Sequence, residues 1–299
     1  MNDFCRKLEK NIDIEYFVDG ILCVEEDEEK EVVINKIAEA ERNIRDYEDY
    51  STLRHKENRH HSFRDEKVRK RLRNQIIEEL FDQNRIEDDD LICLHKGGAK
   101  PNNPISGNGI AFYLIGPPAS GKSTIAAKIA EFYGCYILDS DFAKRKLPEY
   151  GYQIGAASLV HEESNAIIFG ENGLMDRCLG KNLGLVIPKI GHNIGSIIVF
   201  CEGLKKAGYK VYLISVDLDR QKATQRAYNR YVKTHRYVPL SLIFDGYGNQ
   251  PSLNYFKLKQ QWSKLFDGFA QISTDVHIDE PVLVIENSGI DDFEKIDWR

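Results

Sequence analysis

Apolar and polar positions change rhythm about a third of the way along the chain. Val32, Ile34, Ile37 and Ile44 recur at helical spacing between about Glu28 and Tyr47, and Val68, Leu72, Ile76, Ile77 and Leu80 do so between about Asp65 and Phe81. Two amphipathic helices are predicted there. The stretch GGAKPNNPISGNG, Gly97 to Gly109, is dense in Gly, Pro, Asn and Ser and reads as a loop or linker. Beyond it, short continuous apolar runs alternate with helical stretches: AFYLI at Ala111, CYILD at Cys135, LGLVIP at Leu183, KVYLISVDL at Lys210 and PVLVIEN at Pro281. Runs this apolar belong to strands buried on both faces, as in a parallel sheet covered by helices. The expected fold class is a three-layer α/β domain with a mostly parallel sheet over residues 106–299. A mainly helical accessory region, 1–105, precedes it.

Composition narrows the picture by exclusion. With 299 residues and 42% hydrophobic residues, the chain can bury a full core and carry an extension. A net charge of -6 argues against a nucleic-acid or anionic-membrane partner. The chain opens without a basic, apolar signal segment, and no run reaches the roughly 18 apolar residues of a membrane helix. Cys5, Cys23, Cys93, Cys135, Cys178 and Cys201 are widely spaced and contain no CxxC pair, so a reduced, cytoplasmic chain without a zinc site is expected. His55, His60 and His61 lie in a basic stretch that reads as a solvated surface.

Chemistry enters with GPPASGKST, the residues Gly116, Pro117, Pro118, Ala119, Ser120, Gly121, Lys122, Ser123 and Thr124. They fit Gly-x4-Gly-Lys-Ser/Thr between a predicted strand and a predicted helix, which is the context a phosphate-binding loop requires. Backbone N–H groups and the helix N-terminus would cradle the phosphates of ATP or GTP, Lys122 would pair with the β and γ groups, and the Ser123 hydroxyl would ligate Mg²⁺. A kinase also needs a carboxylate at the end of a neighbouring strand to position the attacking hydroxyl. ILDSDFAK supplies Asp139 and Asp141, the first for a metal or cap role and the second as base. Developing charge on the transferred group calls for arginines, and Arg226, Arg230 and Arg236 follow the strand KVYLISVDL.

The ordered set resembles the zeta toxin family of P-loop kinases over roughly Ile110 to Asn254. The resemblance rests on GPPASGKST, on ILDSDFAK, on LVHEESNAI as the substrate-side helix, on the strand LGLVIPKIG, and on R-x3-R-x5-R-x-V-P. It implies that Asp141 is the base and that Arg226 and Arg236 are the lid arginines. His161, Glu162, Glu163 and Ser164 would face the acceptor, and Glu171 would approximate a substrate-binding glutamate. It further implies phosphorylation of a nucleotide-like small molecule such as UDP-N-acetylglucosamine or NAD, with a toxin or host-delivered effector role. The chain departs from the best-known members where their Glu-Gly-Thr holds the sugar nucleotide, because Pro188, Lys189, Ile190 and Gly191 stand there.

Two other readings keep the nucleotide loop and change its use. A polynucleotide 5′-kinase would employ the basic stretch Arg54 to Arg73 against a backbone, and an NTP-binding switch would need Lys122 without needing Asp141. The resemblance does not reach residues 1–105: they read as a subdomain docked on the kinase domain or, because zeta-type toxins are commonly held inactive by a helical antitoxin, as a cis-acting inhibitor, with a separate antitoxin as the other partner expected.

Overall fold

The computed structural model describes residues 5–47, 50–152, 156–277 and 280–299. Its helices are α1 (Asn11–Phe17), α2 (Asp27–Tyr47), α3 (Glu66–Asp82), α4 (Lys122–Tyr133), α5 (Ser140–Lys146), α6 (Ala156–Leu159), α7 (His161–Phe169), α8 (Leu174–Leu179), α9 (Ile194–Lys206), α10 (Arg220–Thr234) and α11 (Gln250–Gln261). The strands are β1 (Ile110–Ile115), β2 (Tyr136–Ile137), β3 (Leu185–Lys189), β4 (Lys210–Asp217), β5 (Gly268–Ser273) and β6 (Leu283–Ser288).

All six strands form one sheet in the order β2-β3-β1-β4-β5-β6. The first four pairings are parallel, and Ile115 of β1 stands opposite Lys189 on one side and Ser215 on the other. Every residue of β1 is buried, as its unbroken apolar run requires. The sequence expectation fails at the far edge in two ways. β5 was missed because its run GFAQIS is interrupted by Gly, Gln and Ser, and β6 pairs with it antiparallel. On that edge strand side chains alternate, and Leu283 and Ile285 point outward.

One apolar core spans both faces of the sheet and includes Leu72, Ile76, Ile77 and Leu80 of α3, so this helix is laid directly against the α/β layers. A second cluster joins α1 and α2 to α10 through Phe17, Ile37, Ala227 and Tyr231. Here the predicted face shifts by one position. Val33, Ile37 and Ala40 are buried while Val32 is exposed, because α2 turns its apolar stripe toward α10. The Tyr237 hydroxyl donates to Glu41 at 2.6 Å and that of Tyr231 to the Lys36 carbonyl at 3.3 Å. Gly97 to Gly109 is a pinned loop: Ala99 is buried, its N–H donates to Leu80, and Ser106 donates to the Gly134 carbonyl.

Candidate active site

The carboxyl ends of β1, β3 and β4 converge where connections leave the sheet in opposite directions, which is the usual crevice of an open parallel sheet. From β1 the chain enters the loop Gly116–Gly121 and then α4. Gly116 is required there, because a Cβ would lie 2.3 Å from the Val216 carbonyl oxygen. The loop is held from both neighbours: Gly116 N–H donates to Ile190 O at 3.1 Å, and Thr274 Oγ1 donates to Ser120 O at 2.9 Å. Lys122 Nζ spans the loop, donating to Gly116 O at 2.8 Å and Pro117 O at 2.5 Å. Burial pushes this ammonium down to about 7, with Arg230 and Arg236 adding to the effect and Asp139 and Asp141 opposing it. Ser123 and Thr124 are exposed on the first turn of α4, while in the preceding loop Pro117 is buried and Pro118 and Ala119 are half-buried.

At the end of β2, Asp139 caps α5 by accepting the Asp141 N–H at 2.9 Å. The Asp141 carboxylate accepts Lys144 Nζ at 2.9 Å and pairs with the Arg236 guanidinium. Burial works against its charge, yet Arg236, Lys144 and Arg145 outweigh burial and hold Asp141 well below the usual carboxylate range. Asp139 moves the other way, raised by burial and by the charge of Asp141. Arg226 donates to Thr274 O at 2.9 Å, which sets it beside the loop. Arg230, one turn on, is pushed down to about 10 by burial and Arg236, and its buried Nε has no hydrogen-bond partner among the described residues. The structure therefore brings Lys122, Asp139, Asp141, Arg230 and Arg236 together, with Arg226 on the flank.

The predicted acceptor side is corrected in part. His161 opens α7, and burial of its imidazole, with Lys144 nearby, lowers its proton affinity. Glu163 does not face an acceptor: it is fully buried and accepts Arg69 Nε at 2.7 Å, Arg73 Nε at 2.7 Å and Thr52 Oγ1 at 2.5 Å. Arg69 also binds Glu149. Ser164 is likewise buried, its hydroxyl donating to the His161 carbonyl at 2.8 Å within the helix. Glu171 is exposed on the turn after α7. Sequence reasoning missed Lys144, Arg145 and Asp90, and named Lys189 only as part of a departure from the family's residues. Asp90, from the N-terminal third, pairs with Arg145 at 2.5 Å and lies 3.9 Å from Arg236. The KRK of Lys144–Lys146 was a visible signal for the first two; Asp90 reaches them across 55 residues and left none.

Among the described residues no group of three or more His, Cys, Asp or Glu is arranged to hold a metal, and no helix is long and apolar enough to cross a membrane. All six cysteines are free.

A phosphate-binding loop on the central strand, a carboxylate at a neighbouring strand end and arginines from the helix after β4 define a P-loop kinase. The Zeta toxin family model matches residues 96–261, and the chain belongs to that family. Comparison with curated proteins gives no match. Among solved structures, the chain is similar to one from the PezAT chromosomal toxin-antitoxin system of Streptococcus pneumoniae, with 18% identity and a TM-score of 0.48 over 62% of this chain and 74% of that one. It is also similar to the AvrRxo1-ORF1:ORF2 complex in its native form, at 20% identity and a TM-score of 0.47, over 82% of this chain and 75% of that chain. The same complex with ATP gives 19% identity and a TM-score of 0.48, over 82% and 75%.

Proposed function

We propose that the protein transfers the γ-phosphate of ATP to a hydroxyl of a nucleotide-like metabolite. The observation that carries this reading is the meeting of Lys122, Asp141 and Arg236 at one crevice, contributed by three separate elements. Gly116 to Thr124 bind the polyphosphate through backbone N–H groups and the α4 N-terminus. Lys122 leaves its loop carbonyls for the β and γ phosphates. Arg236 moves from Asp141 to the transferring group, with Arg230 behind it. Asp141, relieved of one cation, then orients the acceptor hydroxyl and takes its proton. Arg226, fixed by Thr274, borders the nucleotide.

Mg²⁺ fits the donors present. The Ser123 hydroxyl is exposed beside the loop, and Asp139, whose proton affinity is raised beside Asp141, has an oxygen free of its capping role. These residues would hold the ion, which when bound neutralises charge on the phosphates.

Residues 1–105 are proposed as an accessory region: α1 and α2 brace α10, and α3 braces α5 and α7. Toxin or effector action, and control by an antitoxin, extend the same proposal through family membership.

The test is transfer from γ-labelled ATP and GTP to UDP-N-acetylglucosamine, NAD and a 5′-hydroxyl oligonucleotide, with Asp141→Asn and Lys122→Ala proteins alongside. A product lost by about 10²-fold or more in both variants is expected. ATP binding that depends on Lys122, with unchanged turnover in Asp141→Asn, would overturn the assignment of the base.

A further inference from the structure

Lys189 ends β3 directly beside the phosphate loop, opposite Ile115, and the carbonyl of the next residue anchors Gly116. Its ammonium lies 3.6 Å from the centroid of the Phe169 ring. That ring is set by an edge contact with Phe200, which packs in turn on Tyr113 of β1. The turn that follows is locked. Gly191 has φ +77°, a Cβ there would fall 2.5 Å from Ile115, and buried Asn254 donates to Gly191 O at 2.8 Å and His192 O at 2.9 Å. The position of Lys189 is therefore fixed by backbone and ring, and among the described residues its ammonium has no hydrogen-bond or ion-pair partner. Burial opposes its charge, with Lys144 adding to that effect, whereas Asp139 and Asp141 favour it.

We propose that Lys189, with Lys144 and His161, seats an anionic group of the acceptor, a phosphate or diphosphate, and that Lys189 is the residue that makes this chain select such acceptors. The inference rests on the kinase reading. Asp141 is already met by two cations, so the unspent ammonium beside it needs an anion from outside the protein. A neutral, hydroxyl-only acceptor would leave that half-buried charge with the Phe169 ring alone, whereas a phosphate oxygen would accept a hydrogen bond from it. Lys144 bonds Asp141 and borders the same space, so one side chain links the base to the anion seat. The Pro-Lys-Ile-Gly run thus places a cation at the end of β3, beside the phosphate loop. The acceptor is then held by charge at this point rather than by its sugar hydroxyls.

The experiment uses full-length protein saturated with AMP-PNP and excess magnesium, so that the phosphate loop is filled, and titrates inorganic pyrophosphate by calorimetry. Lys189→Met is expected to weaken pyrophosphate binding about 10- to 100-fold, the loss of a charged hydrogen bond. Lys189→Arg should restore it to within about threefold, and affinity for AMP-PNP should not change in either protein. Wild-type protein that takes up no pyrophosphate, or a Lys189→Met protein that binds it normally, overturns the proposal. With whichever acceptor is phosphorylated, Lys189→Met should raise the acceptor KM by about the same factor and leave kcat within about threefold. A fall in kcat at constant KM would place Lys189 in the transfer step and also overturn it. Lys189-dependent pyrophosphate binding without any labelled acceptor would count against the kinase reading alone; a labelled product with Lys189-independent binding would count against the anion seat alone.

Discussion

Two charged assemblies hang on the same short helices, and they differ in balance. Around Arg69, each guanidinium nitrogen donates to Glu149 or Glu163, both pairs are buried, and half-buried Arg73 adds a second cation. Charge there is matched within the protein. On the crevice side of α5 and α7, Lys122, Lys144, Arg145, Lys189, Arg230 and Arg236 face Asp90, Asp139 and Asp141. Cations outnumber carboxylates and several groups titrate far from their ordinary values, whereas an unpartnered buried arginine nitrogen occurs in both assemblies, Arg230 Nε here and Arg73 Nη2 beside Glu163. A closed network holds helices in place, and an open one awaits phosphate.

The largest effect that would break this contrast is on the closed side. Arg69→Met leaves Glu149 and Glu163 buried without their main partner, and about 3–5 kcal/mol of stability should be lost in urea unfolding. A loss under about 1 kcal/mol would mean that the network is not closed as described. Acid titration of stability sharpens the same point. Arg69, Thr52 and Arg73 outweigh burial and hold Glu163 down at about 2, against an ordinary 4.5. Its contribution is complete above pH 4.5 and disappears as pH falls towards 2, so wild type should destabilise across that window more steeply than Glu163→Gln.

On the open side the signature is proton uptake. Lys122 sits at about 7 before nucleotide arrives, and phosphate must raise it, so ATP binding at pH 8 should take up close to one proton. Calorimetry in buffers of different ionisation enthalpy reads this directly; no uptake, or the same uptake in Lys122→Met, would remove Lys122 as its source. The smallest effect belongs to neither assembly. Lys222 and Asp275 are 2.6 Å apart but both exposed, and Lys222→Ala should change stability by less than about 1 kcal/mol.

The open site was largely legible in sequence and the closed network was not. GPPASGKST carries its own context, because strand, turn and helix are contiguous, and Asp141 lies two residues beyond its strand-end partner. Glu163 looked like a site residue because LVHEESNAI resembles the substrate-side helix. Only the packing of α3, whose Arg69 is 94 residues away, turns it inward. The same non-local cause hid Asp90. Lys189 was visible as a departure from the family's residues, but its isolation depends on Phe169 and on the Asn254 clamp, which no spacing reveals. β5 was lost to its polar interruptions, and with it the antiparallel turn of the sheet's edge.

Thr274 ties three parts of the site to one residue. Its hydroxyl bonds the phosphate loop, its carbonyl receives Arg226 from α10, and its N–H is bonded to Asp217 O at 3.1 Å at the end of β4. Were α10 to move away from the loop, the Arg226 bond would break and Thr274 would lose one of its three anchors. The backbone amide of Thr274 would then exchange its hydrogen for solvent deuterium at the frequency of opening. One amide near the sheet's edge would thereby keep time for the arginine helix.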